Sequence, residues 1–82
     1  MLDSDKVRAL LQRGMREGYG GACLVRIVLT SGYKMTAKVT VDCPPNTWAP
    51  GEIVVYTEAR SNVREEHHVA LAEVALLTIV QA

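Results

Sequence analysis

The 82-residue sequence predicts a mainly β protein, with an N-terminal helix followed by a small, strongly bent five-stranded barrel. Three observations predict it. The stretch from Val25 to Asp42, VRIVLTSGYKMTAKVTVD, holds two runs of alternating apolar and polar residues around Ser31-Gly32, the pattern of a β-hairpin. A short amphipathic segment with apolar residues at helical spacing precedes it. Three more short strand-like runs follow before the chain reaches Ala82.

The helix is expected over about residues 4–16. Asp3 or Ser4 can cap it, and Asp5 in the first turn favours the positive end of the helix dipole. Val7, Leu10, Leu11 and Met15 form one stripe, suited to cover the open end of a barrel. Lys6, Arg8, Arg13 and Arg16 take the other face or the C-terminal end. Gly14 weakens the helix, and the run from Gly18 to Gly21 stops it.

The first strand is expected from Ala22 to Thr30, with Val25, Ile27 and Leu29 sharing a face. Gly32 supplies the turn. The second runs from Tyr33 to Val41, with Tyr33, Met35, Ala37, Val39 and Val41 inward and Lys34, Thr36, Lys38 and Thr40 outward. A slip of one residue would bury the lysines, so the register is firmly set. Cys43 to Gly51 is irregular, because its prolines remove backbone donors and forbid a central strand. Glu52 to Glu58 is a third strand, apolar on both sides at Ile53, Val54 and Val55. A polar turn from Ala59 to Arg64 centres on Ser61-Asn62. Glu65 to Leu71 is the fourth strand, Ala72 to Ala75 a connection with the length of one 3-10 turn, and Leu76 to Val80 the fifth.

Residues 1–82 thus form a single domain, with the barrel over about residues 22–81. A chain this small buries roughly 60–65% of the surface its unfolded form exposes, and oligomerisation is a common remedy for the marginal stability that results. Nine basic and nine acidic residues cancel. That balance argues against strong non-specific nucleic-acid affinity, which rests on a basic surface. Cys23 and Cys43 lack metal-ligand spacing and read as free thiols. His67 and His68 are adjacent on a strand, point to opposite faces and do not suit one metal ion. No Ser/His/Asp or Cys/His grouping suggests catalysis, so no enzyme activity, cofactor or metal is expected. Met1-Leu2-Asp3-Ser4-Asp5 is acidic and unlike a signal peptide, and no apolar run is long enough for a membrane. A cytoplasmic location without membrane contact is the expectation.

The order of elements resembles the Sm-like family, which includes the bacterial Hfq-type and the archaeal and eukaryotic Lsm proteins. Val25, Ile27, Leu29, Gly32, Met35, Ala37, Val39 and Asp42 fall at the places of the family's first motif, with Asn46 four residues after Asp42. The final HHVALAEVALLTIV is similar in pattern to its second motif. The chain departs from the family at Ala37, where glycine is usual, at Pro44, where a stacking residue is usual, and at Ala72-Glu73-Val74, where a basic link is usual. The resemblance implies a ring of identical subunits that binds single-stranded RNA at its pore-side loops.

On that reading Asp42, Asn46 and Trp48 face the pore. Trp48 stacks on a base, Asn46 reads a base edge, and Lys34 and Lys38 contact phosphate. The alternative for Trp48 is a plug at the base of its loop, and for the lysines a solvated strand face. The fifth strand has no charge and no proline, an unprotected edge that invites pairing. Pairing it with the fourth strand of another copy would use Val69, Leu71, Leu76, Leu77 and Ile79, and a heterologous contact of that kind repeats until a ring closes. A rival expectation is an oligomeric scaffold or protein-interaction module in which Trp48 and the prolines dock a protein partner. An unrelated monomeric SH3-like barrel would share the same strand pattern.

Overall fold

The computed structural model describes residues 3–17, 21–60 and 62–80. It is mainly β, with one N-terminal helix and a five-stranded antiparallel sheet. Helix α1, Ser4–Glu17, starts at Asp3, whose Oδ1 accepts the amides of Asp5 (2.9 Å) and Lys6 (3.3 Å). Those are two of the donors that a helix start leaves unpaired. Val7, Leu11, Gly14 and Met15 are buried, while Leu10 is 38% exposed, so the stripe is narrower than the spacing predicts.

Gly14 has a packing reason. A Cβ built there would lie 2.8 Å from Cys23 Sγ and 3.2 Å from Ile79 Cδ1. The helix therefore rests on Cys23 and Ile79 through a residue with no side chain. Gly18 and Gly20, expected to stop the helix, lie outside the described residues.

The strands are β1 (Cys23–Leu29), β2 (Lys34–Val39), β3 (Glu52–Arg60), β4 (Val63–Ala70) and β5 (Val74–Val80), in the sheet order β4-β3-β2-β1-β5. The sheet is not closed, and β4 and β5 are its two edges. The β1–β2 hairpin turns through Thr30-Ser31-Gly32. The Gly32 amide donates to Leu29 O (2.9 Å) with Gly32 at φ +93°, the three-residue loop with glycine in the left-handed region. Cys23, Val25 and Ile27 from β1 and Ala37 and Val39 from β2 enter the core together with Ile53, Val54 and Val55 of β3.

Several boundaries differ from the sequence reading. β2 ends at Val39, before a turn in which the Cys43 amide bonds Thr40 O (3.2 Å), so Tyr33 and Val41 lie beyond its ends and are 62% and 59% exposed. The β3–β4 hairpin is tighter than expected, because Asn62 adopts φ 65° and lets β4 begin at Val63. Ser61 lies outside the described residues. The 3-10 turn occupies Leu71–Glu73, and β5 starts at Val74, which is buried and pairs with Leu29.

Candidate functional site

The segment between β2 and β3 is tied down at both ends. The Thr47 Oγ1 hydroxyl and the Thr47 amide both donate to Pro44 O (2.7 and 2.9 Å), closing a 3-10 turn over Pro45–Thr47. Trp48 is 5% exposed, and its indole N–H donates to Cys43 O (3.0 Å). From the helix, one Arg8 terminal nitrogen donates to Trp48 O (3.0 Å) and Ala49 O (2.9 Å). Arg8 is thus half-buried and joins α1 to the loop, whereas helical spacing alone puts it on a solvated face. Its Nε is buried without a partner among the described residues.

This geometry corrects the expectation for Trp48. A buried ring with a committed N–H presents no face to a base, and the residue acts as the plug at the base of its loop. Asp42 and Asn46 are exposed. Asp42 Oδ2 accepts from Arg64 (3.4 Å) at the start of β4. Lys34 is exposed at the start of β2, and Lys38 Nζ stands 3.9 Å from Glu58 Oε1.

β2 and β3 pair only at Lys38 and Tyr56. Where their ladder stops, an open groove of about 460 Å³ forms, lined by Thr36, Lys38, Tyr56, Thr57, Glu58 and Arg64 among others. Of the expected RNA contacts only Lys38 lines it, and Asp42 reaches it through Arg64. The Arg64 guanidinium sits 5.2 Å from the centre of the Tyr56 ring, within cation–π range. Sequence reasoning passed over Tyr56 and Glu58 and read Arg64 as part of an exposed charged turn, whereas it stands in β4. The available signal was strand alternation, which puts Tyr56 and Glu58 on one face, but placing Arg64 opposite Glu58 needs the β3–β4 register.

A second cluster runs along the same face. The Tyr56 hydroxyl donates to Glu66 Oε1 (2.9 Å), His68 Nε2 contacts Glu66 Oε2, and His68 Nδ1 lies 2.7 Å from Glu52 Oε1. The hydrogen bond to Glu66 pushes the Tyr56 phenol up to about 12. The bonds from His68 and then Tyr56 hold Glu66 below its usual value, and the bonds to Glu52 and Glu66 hold His68 above its own. His67 turns the other way, with Nε2 2.7 Å from Thr57 Oγ1. The two histidines do not share a site, and no cluster suited to a metal ion occurs among the described residues. Cys23 is buried and Cys43 half-buried, and both are free thiols. Burial pushes the Cys23 thiol up, away from a reactive thiolate.

The two edges differ in chemistry. The Leu29 amide bonds Tyr33 O (2.8 Å), and counting back by twos turns the peptide groups of Leu24, Arg26 and Val28 toward β5. They meet Val80, Thr78 and Leu76, so the peptide groups of Leu77 and Ile79 face the open edge. The same count through Lys38 and Tyr56 leaves the peptide groups of Arg64, Glu66, His68 and Ala70 on the open edge of β4. Of the expected interface side chains, Leu71 is 4% exposed and belongs to the chain's own core, a correction to its interface role. Val69, Leu77 and Ile79 are half-buried against that core, and Leu76 is 56% exposed.

Comparison with protein-family models, with curated proteins and with solved structures finds no match for this chain. No helix among the described residues is long and apolar enough to cross a membrane.

Proposed function

We propose that this chain is an Sm-like protein that assembles edge to edge into a homo-oligomeric ring and binds single-stranded RNA. The observation that carries the reading is the sheet order β4-β3-β2-β1-β5, which leaves a charged edge and an uncharged edge at opposite ends of one sheet. Each edge presents unpaired peptide groups, a template for another strand. Joining β5 of one copy to β4 of the next is heterologous, and such a contact ends only when a ring closes. On this reading the open sheet is the bent barrel of that family. Lys34, Lys38, Asp42 and Asn46 are the exposed residues that RNA would meet, and Trp48 supports their loop from below.

The scaffold reading is favoured by a specific observation. Lys38 and Arg64 each stand beside a carboxylate and the formal net charge is zero, although a buried Trp48 docks no protein partner in that reading either. Light scattering behind size-exclusion chromatography tests the ring, and a monomeric mass across the accessible concentration range rejects it. Titration of the oligomer with U-rich and A-rich single strands at low salt, where phosphate contacts are strongest, separates the ligands. Binding that weakens as salt rises supports RNA, and no binding at low salt leaves the scaffold.

A further inference from the structure

The outer face of β4 carries a side-chain arrangement that edge pairing does not require. His68 lies between two carboxylates, Glu52 from β3 and Glu66 two residues earlier on its own strand, with both ring nitrogens engaged. The remaining titratable and charged groups on this face are Tyr56, bonded to Glu66, then Arg64, which lies over the Tyr56 ring and reaches Asp42, and beyond them Glu58, opposite Arg64 in the ladder and beside Lys38. Opposite His68 in the ladder is Val54, which is uncharged. Five side chains from Glu52 to Arg64 thus make one row across β3 and β4. Glu66 and His68 also carry peptide groups on the strand's open side.

We propose that the Glu52–His68–Glu66 bridge is a proton-operated latch that holds edge strand β4 against β3 when the imidazole is protonated and releases it when the imidazole is neutral. The imidazolium donates from both nitrogens and separates the carboxylates. A neutral ring has one N–H, bonds one carboxylate and leaves the other facing a lone pair. With Tyr56 protonated up to about pH 12, the phenol stays a donor to Glu66 throughout the imidazole transition. His68 is held above 6.5, so its contribution is complete below that pH and is lost as pH rises through the higher folded-state value. Glu66 is held below 4.5, so its contribution is complete above that pH and is lost as pH falls through the lower one. The latch is therefore tightest between these limits. It stands on the fold of one chain and does not require the ring.

The test is amide hydrogen exchange of the full chain across the His68 midpoint, with that midpoint read from the imidazole resonances and rates corrected for intrinsic exchange. Protection of the β4 amides bonded to β3 is expected to fall roughly two- to fivefold above the midpoint, the scale of an exposed charged network. His68→Gln should abolish this dependence. His67→Gln, on the opposite face, should leave it in place. Glu66→Gln should move the transition to lower pH along with the His68 midpoint. Constant β4 protection through the midpoint in the wild type, or an unchanged pH dependence in His68→Gln, overturns the latch.

Discussion

Gly14 and Arg8 carry more of the fold than their residue types suggest. Alanine at an exposed helix position is worth about 1 kcal/mol over glycine. At Gly14 its methyl group would meet Cys23 Sγ at 2.8 Å. Overpacking of that kind costs about 1–3 kcal/mol, so Gly14→Ala should destabilise by about 1 kcal/mol in urea unfolding. In a Cys23→Ala background most of that cost should disappear, because the sulfur is gone, whereas an equal cost in both backgrounds would reject Cys23 as the contact. Arg8→Met keeps the apolar stem and removes both bonds to the Trp48 and Ala49 carbonyls. The expected loss is about 2 kcal/mol, the range for charged hydrogen bonds. Trp48 is the single tryptophan, so its fluorescence reports the loop directly. A red-shifted native emission should accompany the loss, and an unshifted spectrum would show that the loop stays anchored without Arg8.

The strand elements were legible in the sequence because each rests on local chemistry. Alternation marks β1 and β2, an apolar run marks β3, and Ser31-Gly32 marks the hairpin. What stayed hidden depends on pairing between strands. The gap between β2 and β3 follows from a ladder that holds at one pair only, and the union of Tyr56, Glu66 and His68 follows from the β3–β4 register. Leu71 shows the same limit from the other side. Its strand-like neighbourhood suggests an interface, but the 3-10 turn and the bond from its amide to Gly51 O (2.8 Å) direct it into the core. The β3–β4 pairing has its own spectroscopic consequence. The hydrogen bond that the Tyr56 hydroxyl donates to Glu66 pushes the phenol up to about 12. In Glu66→Gln the charge is removed, and the phenol should return toward 10, read as a shift in the ultraviolet tyrosinate absorbance. No shift would mean that the hydroxyl is not bonded to Glu66 in solution.

At the scale of the whole molecule, the open sheet presents two chemically unequal edges. β4 is lined with charge, which in natural sheets discourages random pairing, whereas β5 from Val74 to Val80 has none. If β5 is covered by β4 of another copy, a lysine on its exposed surface should separate the copies without unfolding either. Leu76 is the residue for this test, since it is 56% exposed, whereas Leu77 and Ile79 pack against the core and Ile79 also touches the helix at Gly14. Leu76→Lys should therefore leave the circular dichroism spectrum unchanged and reduce the scattering mass to one chain. Its thermal midpoint should also lose the concentration dependence that assembly imposes on the wild type. Ile79→Lys, by contrast, should unfold the chain at any concentration. An assembled Leu76→Lys variant would show that the copies meet elsewhere, and a monomeric wild type would show that β5 is protected by its own sheet alone.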